Sequence, residues 1–328
     1  MKLPEINRCP GTLDSGYDSY SPVCLRHMFS GRSVGHILDF SSSEILTGND
    51  SDSGVGRISI SGVQEKVALV LDKNKLRFAN VDEQAQYILK PVPSFGKFTE
   101  EIPANEHLTM QMASQVFGIE TANNALIFMA DGSPAYITKR FDITRGDKKL
   151  AVEDFASLMQ KSPQTDGSQY KYSGCYLDIF NTMRKYLPAY QVEAPKLFKL
   201  LVFNYLFCNG DAHLKNFSII ETSRGDFKLA PAYDLLNTRL HVEDSEFALE
   251  DGLHPKQQSG GQIYQQFKRL GNAAEINDKI YEDILEEMLA GHEAVDKLID
   301  NSFLSKRKQR AYAQLFQRRR NRLKKGID

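Results

Sequence analysis

The stretch NGDAHLKN, residues 209–216, closes the nearly apolar run APKLFKLLVFNYLFCNG, residues 194–210. A run that is apolar on every side predicts a helix buried at the centre of a lobe. The polar loop that leaves this helix holds Asp211 and Asn216 five residues apart. A second acid, Asp234, follows eighteen residues after Asn216, at the end of a predicted strand. The sequence therefore places two carboxylates and one amide on loops beside a buried helix.

This acid–amide–acid set suits phosphoryl transfer. Asp211 would accept the proton of a hydroxyl group, while the oxygens of Asn216 and Asp234 would hold Mg²⁺ against the phosphates of ATP. The Asp-x4-Asn spacing is that of the protein-kinase catalytic loop, and Asp234 would take the role of the metal-binding aspartate that follows it. The alternative is that these polar loops only cap the ends of helices.

The first part of the chain contains a lysine that could bind the phosphates of ATP. Residues 57–142 predict a small antiparallel sheet with one helix at 105–118. Lys90 closes the short strand 86–90, where a kinase carries the lysine that holds the α- and β-phosphates, and Glu106 near the start of the helix could pair with it. A lysine at a strand end is more often only solvated, so the order of these residues along the chain is what favours the hypothesis.

A candidate phosphate loop, SISGVQEK, precedes Lys90 at residues 59–66. Gly62 would let backbone amides approach an anion, and Lys66 would add positive charge. Ser59 and Ser61 stand just ahead of the glycine. The alternative is that both serines only cap a turn.

Composition narrows the function classes. The chain has 328 residues, with 41 Lys and Arg against 42 Asp and Glu and a net charge of −1, so bulk charge gives no argument for a nucleic-acid or membrane-surface protein. No apolar run is long enough for a transmembrane helix, and the first residues lack the pattern of a signal peptide. Four widely spaced cysteines make disulfides and zinc sites improbable, so we expect a cytoplasmic protein with no membrane partner.

The expected architecture is α+β, with two lobes as in protein kinases. Residues 1–56 would be a short N-terminal segment with a flexible loop at 41–56, residues 57–145 a β-rich N-lobe, and residues 146–328 a helical C-lobe. In the second lobe we predict helices at 153–160, 175–187 and 194–210, and two closing helices at about 275–299 and 303–324.

The end of the chain is strongly basic. Residues 306–325 hold ten Lys and Arg and no acid. An amphipathic helix with a solvated basic face explains this pattern, and a patch that contacts the phosphates of tRNA or operator DNA is the alternative.

Seven motifs together resemble one family. ISGVQEK, YILKP, NEH, KRFD, EDF, NGDAHLKNFS and APAYDLL occur in this order, and they resemble the HipA family of bacterial serine/threonine kinases, toxins of type II toxin–antitoxin modules. The resemblance covers about residues 57–325. Ser59 and Ser61 form a Ser-Ile-Ser pair, which resembles the shorter HipT branch rather than long HipA proteins.

The resemblance implies roles for particular residues. Asp211 resembles the catalytic base, and a serine ahead of the glycine, Ser59 or Ser61, the site of autophosphorylation. The nucleotide-gripping loop would be Ser61, Gly62, Val63, Gln64, Glu65 and Lys66. The segment crossing the adenine would be Lys139, Arg140 and Phe141. The phosphate and metal site would be His213, Leu214, Lys215, Asn216, Tyr233 and Asp234.

The resemblance also implies cofactors and partners. These are ATP and Mg²⁺, a HipB-like helix-turn-helix antitoxin, a separate small HipS-like protein, and operator DNA contacted only through the antitoxin complex. The protein substrate would be an aminoacyl-tRNA synthetase. Two other functions stay open from the residues: a small-molecule phosphotransferase, and a catalytically silent antitoxin or co-repressor.

Overall fold

The computed structural model describes residues 5–47, 65–93, 99–144, 146, 148–290 and 293–326. The chain divides into two compact units. The first comprises residues 1–111, 122–148 and 295–309, and the second comprises residues 112–121, 149–294 and 310–328. The boundaries predicted at residues 56 and 145 stay predictions.

A five-stranded antiparallel sheet forms the centre of the first unit, in the order β2-β1-β3-β5-β4. Its strands are β1 (Val67–Asp72), β2 (Lys75–Phe78), β3 (Tyr87–Pro91), β4 (Asn124–Phe128) and β5 (Pro134–Lys139). Every residue of β4 is buried, and helix α3 (Ile102–Gln111) packs on β4 and β5. The register sets Lys90 opposite Tyr136, so Lys90 lies within the sheet and beneath α3.

The N-terminal residues belong to the core of this unit. Helix α1 (Pro22–Phe29) begins at Ser21, whose hydroxyl accepts a hydrogen bond from the Cys24 amide, and Pro22 fits the first helical position. The Tyr20 hydroxyl donates to the Leu126 carbonyl of β4 at 2.9 Å. The described residues from Cys9 to Ile45 thus contribute side chains to the core beside the sheet.

The loop predicted at 41–56 is wrong at its start. Ser42–Thr47 forms helix α2, because the Asp131 carboxylate accepts from the Ser42 amide (2.9 Å) and Glu44 accepts from the Ser41 amide (2.8 Å). These partners satisfy amides at the helix start that would otherwise lack acceptors. Residues 48–56 lie outside the described residues.

The second unit combines a small antiparallel sheet with helices. The sheet has the order β6 (Val152–Asp154), β7 (Ser218–Glu221) and β8 (Phe227–Leu229). The remaining helices, of which α10 and α11 cross the boundary between the units, are α4 (Phe155–Leu158), α5 (Pro163–Asp166), α6 (Tyr176–Tyr186), α7 (Tyr190–Leu206), α8 (Ile263–Ala273), α9 (Asp278–Leu289), α10 (Glu293–Asp300) and α11 (Lys306–Lys324). In the part of the chain that the structure describes, no helix is long and apolar enough to cross a membrane.

Helix α7 is the buried helix that the apolar run predicts. Twelve of its seventeen residues are buried. Aromatic rings at its C-terminal end stack on one another and on a ring of α11. The Phe203 and Phe207 centroids lie 4.4 Å apart, and the Phe207 and Phe316 centroids 4.7 Å apart. This packing fixes the point at which the chain leaves α7 for the loop of Asp211.

Two helix predictions need correction, and one helix was missed. The segment predicted as a helix at 153–160 starts as strand β6, because residues 152–154 pair with β7, and only Phe155–Leu158 is helical. The single helix predicted at 275–299 consists of two helices, α9 and α10, because the backbone leaves the helical conformation at Ala290 (φ −58°, ψ 158°). Helix α8 was not predicted, although Ile263, Phe267 and Leu270 follow helical spacing and are buried.

Candidate active site

The first unit contains a buried ion pair. Lys90 Nζ on β3 donates to Glu106 Oε1 on α3 at 2.6 Å, and both side chains are about 95% buried. The Tyr136 ring lies 5.4 Å from the Lys90 ammonium. Burying two charges is unfavourable unless they are paired, and such a pair by itself adds little stability. The pair does hold a lysine at one position and in one orientation, as a phosphate contact requires.

Two hydrogen bonds from the side chain of Thr238 fix the loop after α7. Thr238 Oγ1 donates to the Cys208 carbonyl and accepts from the Gly210 amide, each at 3.0 Å. Gly210 has no room for a side chain, because a Cβ there would lie 2.3 Å from the Asp244 carboxylate. Cys208 has φ = +55°, which turns the chain sharply out of the helix. These contacts position the next residue, Asp211.

Asp211 is exposed and hydrogen-bonded. The Tyr172 hydroxyl donates to Asp211 Oδ1 at 2.7 Å. Burial, followed by the hydrogen bond to Asp211, raises the pKa of Tyr172, so its hydroxyl keeps its proton at neutral pH. An exposed carboxylate with one oxygen held in this way can present its other oxygen to a substrate.

His213 is a less suitable base. Its side chain is buried, its ring lies edge-on to Tyr172 at 5.2 Å, and its Nδ1 has no hydrogen-bond partner among the described residues. Burial lowers the pKa of His213 to about 4, against the opposing effect of Asp211. The imidazole is therefore neutral at physiological pH. Because His213 is buried and Asp211 is exposed, Asp211 is the group that a substrate hydroxyl can reach.

Asn216 and Asp234 meet in the second unit. Asn216 Nδ2 donates to Asp234 Oδ2 at 3.3 Å, and Asn216 Oδ1 accepts from the His213 amide at 3.2 Å. Asp234 has φ = +56°, a left-handed conformation that costs a non-glycine residue free energy and that clusters at functional sites. An amide oxygen and a carboxylate are hard donors of the kind that Mg²⁺ prefers, and both side chains are half-buried rather than enclosed.

Neighbouring residues hold this pair in place. The Tyr233 hydroxyl donates to the Lys215 carbonyl at 2.9 Å and lies 2.5 Å from Ser218 Oγ. Lys215 Nζ lies 3.1 Å from Asp154, so this lysine is engaged with a carboxylate of its own unit. Asp154 also accepts from the Ser157 amide and thereby caps α4. The buried Leu214 packs below the same turn.

The remaining predicted residues lie in or next to the first unit's sheet. Lys139 ends β5, Arg140 forms a bidentate ion pair with Asp142, and Phe141 between them is half-buried. Glu65 and Lys66 are half-buried and lead into β1. The rest of the predicted phosphate loop lies outside the described residues: Ser59, Ser61, Gly62, Val63 and Gln64.

Sequence reasoning missed Tyr172, Thr238 and Asp154. Tyr172 contacts Asp211 from 39 residues away along the chain and Thr238 contacts Gly210 from 28 residues away, and no spacing in the sequence marks either residue. Asp154 had a signal, because it is part of the EDF motif at residues 153–155. That motif was used for the resemblance and not for a role of the aspartate.

Two sequence relatives carry kinase names. A Haemophilus influenzae protein with a provisional kinase name is 25% identical over 329 residues, which cover 93% of this chain and 92% of that protein. The serine/threonine-protein kinase toxin HipA of Shewanella oneidensis is 27% identical over 222 residues, 62% of this chain. The match spans about half the length of that toxin, 49%.

Two solved structures share the fold. The complex of HipA, HipB and operator DNA from Shewanella oneidensis MR-1 matches with a TM-score of 0.63 and 17% identity, over 87% of this chain and 71% of that one. The Helicobacter pylori proinflammatory kinase CtkA matches with a TM-score of 0.53 and 15% identity, over 79% of this chain and 93% of that one. The predicted α+β, two-lobed kinase-like fold is thereby confirmed.

The family profile gives the most specific match. The HipA-like C-terminal domain matches residues 58–295, well over half of the chain. This range includes Lys90, Glu106, Asp211, Asn216 and Asp234, and it confirms the resemblance read from the seven motifs. The chain belongs to the family of the HipA-like C-terminal domain.

Proposed function

We propose that this protein transfers the γ-phosphate of ATP to a serine or threonine hydroxyl of another protein. The observation that carries the proposal is the exposed carboxylate of Asp211. The Tyr172 hydroxyl donates a hydrogen bond to it, and Asp211 lies on the loop that leads to Asn216, the partner of Asp234. In this role Asp211 would orient the substrate hydroxyl and accept its proton as the bond to phosphorus forms. Lys90, kept in place by Glu106, would bind the phosphates.

The donor set fits a magnesium ion. Among the described residues no three His, Cys, Asp or Glu side chains form a metal cluster, so Asn216 and Asp234 would share the ion with phosphate oxygens and water. Mg²⁺ bound there would offset the negative charge of the phosphates. The left-handed backbone at Asp234 supports this role. This conformation favours glycine, so a residue with a carboxylate at this position is unusual, and such unusual conformations cluster at functional sites.

The biological setting is inferred from the family. We propose that the protein is the toxin of a type II toxin–antitoxin module and acts in the cytoplasm. A HipB-like antitoxin would bind it and link it to operator DNA, as suggested by the solved complex of HipA with HipB and DNA. A small HipS-like partner and an aminoacyl-tRNA synthetase substrate stay predictions.

An ATPase and autophosphorylation assay on the purified chain tests the proposal. A protein kinase should hydrolyse ATP slowly and label itself or a protein from a lysate with the γ-phosphate. Labelling of a small molecule alone would favour a phosphotransferase. If folded protein incubated with ATP labels neither a protein nor a small molecule, the remaining function is that of a catalytically silent antitoxin or co-repressor.

Tyr172 should act as a positioning residue. Changing Tyr172→Phe removes the hydroxyl that fixes Asp211, and a hydrogen bond to a charged group contributes about 1.5–3 kcal/mol. We expect kcat to fall about tenfold, while KM for ATP stays within about twofold. Tyr186→Phe, the same change at an exposed position on α6, serves as the control. Unchanged or faster turnover in Tyr172→Phe would rule out this role.

The serine pair should carry the autophosphorylation site. A phosphate on Ser59 or Ser61 adds about −1.5 to −2 charge to the proposed phosphate loop, so it would repel the phosphates of ATP. We expect mass spectrometry to find phosphate on this loop in the wild type and none in Asp211→Ala. Ser59→Asp/Ser61→Asp should bind ATP poorly, and the matched double alanine variant should bind it. Equal ATP binding by both double variants, with no phosphate found, would contradict the switch but not the kinase assignment.

A further inference from the structure

A cavity of about 210 Å³ opens in the second unit, beside the end of α7 and the turn Thr238–Leu240. Four guanidinium groups and one carboxylate line it, above a cysteine. The charged residues are Arg239, Glu246, Arg318, Arg319 and Arg322, and the cysteine is Cys208. Positive charge therefore exceeds negative charge in this cavity, although the whole chain has a net charge of −1.

Only part of this charge is neutralised within the protein. Glu246 Oε1 accepts hydrogen bonds from both Arg319 and Arg322. Arg239 and Arg318, in contrast, form no side-chain ion pair or hydrogen bond with any residue that the structure describes, and both are exposed. Two guanidinium groups at the rim are thus available to a ligand.

Arg319 supplies a second, independent observation. Its side chain is only 6% exposed, its guanidinium lies 4.8 Å from the Tyr205 ring centroid, and its buried Nη2 has no hydrogen-bond partner in the described structure. A buried donor without a partner is unfavourable by about 1–3 kcal/mol, and native proteins rarely retain one without a reason. This nitrogen is enclosed by protein atoms, so an acceptor in the cavity would reach it only after a shift of the Arg319 side chain.

Cys208 does not provide the missing negative charge. Burial raises the pKa of the Cys208 thiol, although Arg319 and Arg239 act in the opposite direction. The thiol therefore stays neutral at physiological pH, and Glu246 supplies the one negative charge among the lining residues that the structure describes.

We propose that this cavity binds a phosphate monoester dianion through Arg239, Arg318, Arg319 and Arg322. Planar guanidinium groups match phosphate oxygens with paired hydrogen bonds, and a dianion suits several of them better than a single charge would. The groups come from two segments, the turn Thr238–Leu240 and helix α11, and converge on one concave site. A nucleic-acid backbone would also draw on the charges of α11 outside the cavity, such as Arg307 and Arg310. This inference does not depend on the proposed kinase activity.

Titration of the full chain with O-phosphoserine, followed by ³¹P NMR and calorimetry, tests the proposal. The variant Arg239→Gln/Arg318→Gln removes the two rim arginines and leaves the buried Arg319–Glu246 contact intact. We expect its affinity to be at least tenfold lower. Arg307→Gln/Arg310→Gln removes the same charge from exposed positions of α11 outside the cavity, and it should bind as the wild type does. Asp211→Asn should also leave this binding unchanged, which separates the cavity from the proposed active site.

Binding measurements with other ligands distinguish a phosphorylated protein from a free phosphate compound. Tighter binding of a phosphoserine peptide than of inorganic phosphate would support docking of a phosphorylated protein, and similar binding would support a free phosphate compound. No binding of either by the wild type would overturn the proposal. Equal loss in the two double variants would also overturn it, because the effect would then reflect bulk charge. Binding of duplex DNA alone, lost in Arg239→Gln/Arg318→Gln, would overturn it in favour of a nucleic-acid surface.

Discussion

Replacing Asp211 by asparagine should abolish most phosphoryl transfer while the protein stays folded. A positioned general base contributes about 10²–10⁴-fold to a rate, and asparagine keeps the shape of aspartate but cannot take up the proton. We therefore expect a loss of this size in kcat with KM for ATP nearly unchanged. Because Asp211 is exposed and asparagine can still accept the Tyr172 hydrogen bond, the free energy of unfolding should change by less than about 1 kcal/mol.

The matched control is Asp283→Asn on α9. It makes the same chemical change at an exposed position, whose contact with Lys279 at 3.6 Å is a weak surface pair. Steady-state kinetics and urea unfolding of both variants, with growth of cells that express each, measure the effects. Wild-type protein and Asp283→Asn should slow growth, and Asp211→Asn should not. If Asp211→Asn kept most of the transfer activity, another group would have to be the base.

Replacing Lys90 by methionine should cause the second large effect, on stability as well as activity. The change removes the Lys90 ammonium from the Glu106 carboxylate, which is about 97% buried. Removing one partner of a buried ion pair costs about 3–5 kcal/mol, a large part of the stability of a typical domain. Loss of the phosphate contact should also lower kcat/KM by about 10²–10³-fold.

A double variant separates the two effects. In Lys90→Met/Glu106→Leu both charges are gone, and an apolar pair of similar volume often matches or exceeds the stability of the ion pair. Urea unfolding should therefore show that most of the stability returns, while ATP-dependent transfer stays low. A double variant that recovers activity together with stability would show that the pair has a structural role only. A single variant as stable as the wild type would mean that Glu106 does not need the lysine.

The sequence predicted the family and the fold because its informative residues lie in local patterns. NGDAHLKN follows an all-apolar run, and a helix with no polar face can only be buried, which is where α7 lies. The strand predicted at 86–90 lies within one residue of the observed β3, Tyr87–Pro91, because aromatic and apolar residues mark it in the sequence. Where a partner decides the structure, the prediction failed: residues 42–47 look like a polar loop, and a carboxylate at Asp131 makes them a helix.

The sequence by itself determined which residues we propose as the site: Lys90, Glu106, Asp211, Asn216 and Asp234 are recognisable from residue type, order and spacing. The tertiary structure alone decided which side chains surround them. Tyr172 reaches Asp211, Thr238 anchors Gly210, and Arg239 joins the arginines of α11 in one cavity. The physical reason is that periodicity reports which face of one element is buried, whereas contacts between distant segments depend on how all elements pack together.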